Sequence, residues 1–139
     1  MGRGCVRPGL RQGPEEVAPT RVLVVEDDDD VRRSVCDILR RCGYDVAEAF
    51  DGQAAIDILG RQEAFDAVIL DLLMPRVDGA GVLDALAPEP VVLVHSAFEY
   101  RSLAEAKANY GARVSAYLTK PVPPLDLLRA LEKGLATRN

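Results

Sequence analysis

Short apolar runs alternate with amphipathic segments from residue 21 onward, and their periods predict the secondary structure. The predicted strands are Val22–Glu26, Asp45–Ala49, Ala67–Leu70, Val91–His95 and Ala116–Thr119. Between and after them, the predicted helices are Asp29–Cys42, Ala54–Gly60, Gly79–Leu86, Glu99–Tyr110 and Leu125–Leu135. Regular alternation of strands and helices through short connections predicts a parallel sheet with helices on both faces.

The two ends of the chain follow a different pattern. Residues 1–20 are rich in Gly, Pro and charge without a period, which is typical of a disordered tail. The ordered domain is expected over residues 21–136. Because only four residues follow Leu135, we expect no output domain after it. A chain of 139 residues is the right size for one such domain.

Composition narrows the class of protein. The net charge of -5 argues against direct DNA binding, because phosphate backbones select basic surfaces. No apolar run reaches the roughly 20 residues of a membrane helix. The three cysteines, Cys5, Cys36 and Cys42, come without a secretory signal and predict thiols in the reducing cytoplasm. His95 is the only histidine, which excludes a site with several histidine ligands.

Polar residues stand where four predicted strands end: Glu26 with Asp27, Asp71, Ser96 and Lys120. Parallel sheets bind ligands at this edge. Crowded carboxylates repel one another, and a hard divalent ion such as Mg²⁺ removes the conflict. An ionised Asp71 can then attack phosphorus, while Lys120 and the Ser96 hydroxyl neutralise the remaining phosphoryl oxygens.

Each of these residues also has an ordinary structural role. Asp27 to Asp30 could be helix-capping acids, and Asp71 could be the first residue of a turn. Ser96 suits a hydrogen-bonded strand end, and Lys120 suits a solvated lysine after a strand. Only the position of all these residues at one edge of the predicted sheet favours a functional site over separate structural roles.

Four stretches of the chain match a known family: RVLVVEDD, AVILDLLMPRVDG, VVLVHSA and AYLTKP. Through them, residues 21–136 resemble the receiver domain of bacterial response regulators. The resemblance implies a flavodoxin-like, doubly wound, five-stranded sheet of strand order 2-1-3-4-5 with five helices. It also implies a two-component signalling domain rather than an enzyme, one that catalyses only its own Mg²⁺-dependent phosphorylation and dephosphorylation.

The resemblance assigns a role to each site residue. Asp71 is the implied phosphoacceptor, and Glu26 and Asp27 are the acidic pair that holds Mg²⁺ together with Asp71. The backbone carbonyl of Leu73 is a further implied metal ligand. By the same resemblance, Ser96, Lys120 and Tyr117 are the switch hydroxyl, the phosphate-pairing lysine and the aromatic side chain that moves inward on activation.

The implied partners follow from that function. A histidine kinase or histidine phosphotransfer protein would supply the phosphoryl group, and a downstream protein would bind the surface of the fourth helix, fifth strand and fifth helix. A homodimer through the fourth helix and fifth strand stays open. Leu73 and Phe98 are apolar at positions that flank the path of attacking water in the family. We therefore hypothesise slow dephosphorylation.

The sequence argues against three other classes of protein and leaves a fourth open. A flavodoxin-like flavin or nucleotide binder needs a phosphate loop where this chain has EDDDD. A haloacid-dehalogenase-type phosphatase needs Asp-x-Asp, whereas Leu72 and Leu73 follow Asp71. An EF-hand needs a turn glycine that is missing after Asp27 and Asp29. A receiver-shaped interaction module that is never phosphorylated stays open.

Overall fold

The computed structural model describes residues 19–61, 64–72, 79–86, 90–97 and 100–137. Five parallel strands form one sheet of order β2-β1-β3-β4-β5, which confirms the expected doubly wound architecture. The strands are β1 (Arg21–Val25), β2 (Asp45–Ala49), β3 (Ala67–Leu70), β4 (Val91–Ser96) and β5 (Ala116–Thr119). Three strands have the predicted bounds, whereas β1 begins and ends one residue earlier than predicted and β4 ends one residue later.

Five helices connect and follow the strands, as predicted. They are α1 (Asp29–Arg41), α2 (Gly52–Gly60), α3 (Gly79–Ala85), α4 (Tyr100–Tyr110) and α5 (Pro124–Thr137). A short 3₁₀ turn, Gly111–Arg113, follows α4 and was not predicted. Helix α2 begins two residues earlier than predicted, because the Asp51 carboxylate accepts a hydrogen bond from the Ala54 N–H at 2.8 Å.

Local chemistry sets both ends of α1. The Asp28 carboxylate accepts hydrogen bonds from the N–H groups of Asp30 and Val31, at 2.9 and 3.1 Å, and so caps the helix. At the other end Gly43 adopts φ 88°, a left-handed conformation that favours glycine. The acidic loop after β1 is therefore followed at once by a fixed helix start.

Alternate residues of the strands divide the core into two layers. Leu23 and Val25 of β1 lie in the layer shared with α2, α3 and α4, whereas Val22 and Val24 lie in the layer shared with α1 and α5. Strands covered on both faces must be apolar at nearly every position, and β1, β3 and β4 are. The two faces of the sheet are consequently covered by different helices.

One of the two described cysteines is a free thiol, as expected, and the other is not. Cys36 is a fully buried free thiol of α1, and burial raises its pKa to about 12, so it is unreactive at neutral pH. Cys42 is disulfide-bonded, and the expectation of a thiol is wrong there. Within the described ranges, no helix combines the length and apolar character needed to cross a bilayer.

Several predictions lie outside the described residues. They concern the tail over residues 1–18, the Leu73 carbonyl and the side chain of Phe98.

Candidate functional site

Backbone hydrogen bonds continue the sheet ladder one residue beyond the strands and bring the polar residues to one edge. The Glu26 N–H donates to the Ala49 carbonyl at 3.0 Å, and the Asp71 N–H donates to the Val25 carbonyl at 3.1 Å. Likewise, the Lys120 N–H donates to the Ser96 carbonyl at 2.9 Å. The register of the sheet therefore fixes where these side chains start, as expected for the carboxyl ends of parallel strands.

Both carboxylate oxygens of Asp71 contact a donor from a neighbouring strand end. The Ser96 hydroxyl donates to Asp71 Oδ1, and Lys120 Nζ donates to Asp71 Oδ2 at 3.0 Å. Asp71 is 4% exposed and Ser96 is completely buried. The arrangement holds a buried carboxylate in a defined orientation at the floor of the site.

Lys120 also pairs with Glu26, since Nζ lies 2.6 Å from Glu26 Oε1. Burial raises the pKa of Glu26 above its ordinary value, although Lys120 and the Asp28 N–H oppose the rise. Burial alone would lower the pKa of Lys120, but the hydrogen bonds and charges of Glu26 and Asp71 outweigh it and raise that pKa. Lys120 is therefore a fixed ammonium between two buried carboxyl groups.

Three carboxyl groups in the site are placed to share one cation. Glu26, Asp27 and Asp71 each offer an oxygen, and these oxygens all lie within 4.8 Å of one another. One ammonium among three carboxylates leaves an excess of negative charge. Hard oxygen donors with an unbalanced charge fit Mg²⁺, which binds through few carboxylates and retains positions for water and phosphate oxygens.

Tyr117 lies on the same face of the sheet as Ser96. It pairs with Val94, two residues before Ser96 on β4, and its ring is partly buried in the layer beneath α4. The Tyr117 hydroxyl donates to the Ala106 carbonyl of α4 at 3.3 Å, and Lys107 Nζ lies 5.9 Å from the ring centroid. Tyr117 therefore links β5 to α4 near the candidate site.

On the opposite face, a groove of about 750 Å³ separates α1 from the turn between β5 and α5. Apolar residues dominate its lining: Val31, Val35, Ile38, Pro121, Val122, Pro124 and Leu127. Lys120 and His95 also line the groove, and His95 is 5% exposed. Burial and the nearby charge of Lys120 lower the pKa of His95 to about 4, although Asp71 opposes this shift, so the imidazole is neutral at pH 7.

Arg32 is the site residue that sequence reasoning missed. Its guanidinium donates to the Glu26 carbonyl at 2.9 Å, to Asp29 Oδ1 at 2.7 Å and to Glu48 Oε1 at 3.2 Å. These acceptors come from the end of β1, the start of α1 and β2. No spacing in the sequence shows that convergence, and an arginine on the polar side of a helix is ordinary.

Comparison with known proteins identifies the family of the chain. Residues 22–132 match the model of the response regulator receiver domain family. The transcriptional regulatory protein PdtaR of Mycobacterium tuberculosis is 37% identical over 125 residues, which cover 88% of this chain and 60% of PdtaR. The response regulator MprA of Mycolicibacterium vanbaalenii is 39% identical over 113 residues, which cover 79% of this chain and 48% of MprA.

Solved structures show the same fold. A CheY-like response regulator receiver domain protein from Methanospirillum hungatei superposes with a TM-score of 0.76 at 27% identity, covering 85% of this chain and 94% of that one. The chain spans about half to three fifths of the length of the curated relatives named above. The family match covers most of the chain, and both relatives exceed 30% identity over more than three quarters of it. The chain therefore belongs to the response regulator receiver domains, the phosphoryl-accepting signalling domains of two-component systems.

Proposed function

We propose that Asp71 is the residue that accepts the phosphoryl group. One observation carries the assignment: Asp71 is the buried carboxylate whose two oxygens contact Ser96 and Lys120. Two further carboxyl groups, Glu26 and Asp27, lie beside it. A nucleophile, a cation and a hydroxyl donor at one strand edge are the parts that phosphoryl transfer needs.

In the proposed reaction an Asp71 oxygen forms a bond to phosphorus. The phosphorus–nitrogen bond of a phosphohistidine donor breaks, and its electron pair remains on the imidazole nitrogen, which takes up a proton. Lys120 and the Ser96 hydroxyl stabilise the charge on the phosphoryl oxygens. The same residues catalyse no reaction on another substrate in this proposal, so the domain acts only on its own phosphorylation state.

We assign the Mg²⁺ of the reaction to Glu26, Asp27 and Asp71, with the Leu73 carbonyl as the ligand that the resemblance adds. When bound, Mg²⁺ neutralises charge and orients the phosphoryl oxygens. The chain's own contribution is to hold three carboxyl oxygens within 4.8 Å of one another, two of them on buried residues.

Phosphorylation would act on the face that carries Ser96 and Tyr117. It adds nearly two negative charges and strong acceptors beside the Ser96 hydroxyl and Lys120. Movement of Ser96 toward those acceptors changes the space next to Tyr117, which is bonded to α4. The surface of α4, β5 and α5 then differs between the two states, and a downstream protein that prefers one state shifts the equilibrium.

Response regulators work with histidine kinases, and the groove beside Lys120 fits such a partner. It is mainly apolar, faces α1 and α5, and adjoins the candidate acceptor site. We propose that a helix of the kinase or phosphotransfer protein docks there. Alanine at Ile38, a partly buried lining residue, should slow transfer from the protein donor. Phosphorylation by acetyl phosphate should be unaffected, whereas an equal loss with both donors would reject this docking site.

We further propose that residues 21–136 form the receiver unit, that it acts in the cytoplasm, and that it does not itself bind DNA. The formal charge of -5 supports the last point. A reducing compartment keeps cysteines as thiols, so the redox state of Cys42 in cells bears on this localisation. Alkylation of thiols in freshly lysed cells tests it: a labelled Cys42 supports the cytoplasm, and a protected Cys42 contradicts it.

Incubation with acetyl phosphate and Mg²⁺, followed by intact mass, tests the function directly. Wild type should gain one phosphoryl group, and Asp71→Asn should gain none. Asp66→Asn is a matched control, because Asp66 ends the loop before β3, at the other end of the strand. An unmodified wild type that also fails to bind Mg²⁺ would instead support a receiver-shaped module that works without phosphorylation.

A further inference from the structure

The carboxylate of Asp27 has no local restraint of its own among the described residues. Asp27 is exposed, and its side chain makes no hydrogen bond or ion pair with them. Its two companions differ: Glu26 contacts Lys120 and the Asp28 N–H, and Asp71 contacts Ser96 and Lys120. The position of the Asp27 side chain therefore depends on the backbone that carries it.

Arg32 fixes that backbone. Its Nη1 donates to the Glu26 carbonyl at 2.9 Å, which belongs to the peptide group that joins Glu26 to Asp27. The N–H of Glu26 is bonded to Ala49 of β2 at 3.0 Å. With both sides of Glu26 held, the direction in which the chain enters Asp27 is set.

The guanidinium is itself anchored on two further segments. Nη2 donates to Asp29 at the start of α1, and Nε donates to Glu48 of β2. The other oxygen of Glu48, Oε2, pairs separately with Arg40 Nη1 at 3.0 Å. The side chain of Arg32 is only 15% exposed, so this is a partly desolvated fork rather than a mobile surface pair.

We propose that Arg32 is a positioning residue for Mg²⁺ binding, acting through the Glu26–Asp27 peptide group. This inference rests on the proposed metal site of Glu26, Asp27 and Asp71. Residues that orient metal ligands without touching the metal commonly change its affinity 10- to 100-fold. Arg32 neither touches the acceptor nor pairs with Asp71, so its effect should appear in Mg²⁺ binding rather than in the phosphoryl-transfer step.

Arg32→Gln and Arg32→Lys separate geometry from charge. Lysine keeps the positive charge but cannot donate in three directions from one planar group. Both variants should therefore weaken Mg²⁺ binding by roughly tenfold, measured by calorimetry without any phosphodonor. The rate of phosphorylation by acetyl phosphate should fall at low Mg²⁺ and return to within about twofold of wild type at saturating Mg²⁺.

Arg40→Gln is the matched control. Arg40 lies on the same helix and pairs with the same Glu48, but its hydrogen bond to the backbone goes to Val46 and not to Glu26. It should keep the Mg²⁺ affinity of wild type. Thermal unfolding of all four proteins without Mg²⁺ measures any loss of stability separately.

Three results distinguish the outcomes. Weaker Mg²⁺ binding in both Arg32 variants, with Arg40→Gln unchanged, supports the inference. Unchanged Mg²⁺ affinity in folded Arg32 variants overturns it and leaves Arg32 a structural residue. Failure of wild type to bind Mg²⁺ would refute the proposed metal site, and the positioning role with it.

Discussion

Helix α1 follows the end of β1, beside Glu26 and Asp27, and helix α4 follows the end of β4, which carries Ser96. The two helices are nevertheless attached to the sheet very differently. Helix α1 buries Val35, Cys36 and Leu39, and its arginines bind Glu48 on β2. Among the described side chains of α4, only Ala106 is buried. Helix α4 is joined to β5 by a weak hydrogen bond, in which the Tyr117 hydroxyl donates to the Ala106 carbonyl at an O···O distance of 3.3 Å.

The difference suggests that the α1 side of the site binds the metal and that the α4 side moves on phosphorylation. The candidate metal ligands Glu26 and Asp27 lie between β1 and α1, where hydrogen bonds to Arg32 and Ala49 hold the backbone. Ser96 and Tyr117 lie on the α4 side, where few apolar groups among the described side chains of the helix would be exposed by a movement. Segments that move in switching are drawn from the less stable parts of a fold. We therefore expect phosphorylation to change the α4 side and to leave the α1 side in place.

The largest expected effect concerns a titratable group on the firmly held α1 side. Burial, together with Lys120, lowers the pKa of His95 to about 4, below the 6.5 of an ordinary histidine. At a pH between these two pKa values, His95 is protonated in the unfolded chain and neutral in the folded state. The contribution of neutral His95 to stability is therefore present above pH 6.5 and lost as pH falls toward 4, by roughly 3 kcal/mol.

Urea unfolding of wild type and His95→Gln at pH 7, 6, 5 and 4 measures this effect. The stability of wild type relative to the variant should decline by roughly 3 kcal/mol as the pH falls. Acidic groups common to both proteins cancel in the difference. A pH-independent difference would show that His95 takes up its proton in the folded state as readily as in the unfolded chain.

A smaller effect probes the close packing of α5, which shares the α1 face. A Cβ added at Gly134 would lie 2.6 Å from Val91 Cγ1 on β4, too close without displacement. Gly134→Ala should therefore lower the free energy of unfolding by about 1 kcal/mol, because overpacking outweighs the better helix propensity of alanine. Gly60→Ala at the end of α2 is the control, since nothing lies within 4 Å there. A stabilised Gly134→Ala would contradict this packing.

The smallest effect is expected at the loosely attached helix. Tyr117→Phe removes the hydrogen bond to the Ala106 carbonyl and should cost less than about 1 kcal/mol of global stability. The amide protons of α4 should nevertheless exchange faster, whereas those of α1 should not change. Equal acceleration in both helices would mean that α4 opens only with the whole domain.

The sequence predicted most of the fold because periodicity reports burial directly. The continuous apolar runs of β1, β3 and β4 indicated a sheet covered on both faces, and the amphipathic period indicated the helices. The start of α2 was missed although Asp51 is a normal N-cap, and the 3₁₀ turn at Gly111–Arg113 has no periodic signal. Strand ends alone predicted the meeting of Glu26, Asp71, Ser96 and Lys120.

What the sequence could not show are contacts between distant segments. Arg32 gains its role from a backbone carbonyl and two carboxylates that only the folded register brings together. His95 was interpreted only as a solitary histidine, whereas the structure places it in the lining of the same groove as Lys120. Each depends on neighbours that spacing along the chain does not reveal.

Hydrogen exchange with and without beryllofluoride, at saturating Mg²⁺, tests the link between Asp71 and the α4 side most directly. Beryllofluoride occupies the place of a phosphoryl group on a carboxylate and does not decay on the timescale of exchange. We predict that exchange rates change about tenfold or more in α4 and β5, stay unchanged in α1 and β2, and respond nowhere in Asp71→Asn. Changes confined to α1, or the same response in Asp71→Asn, would contradict the proposal.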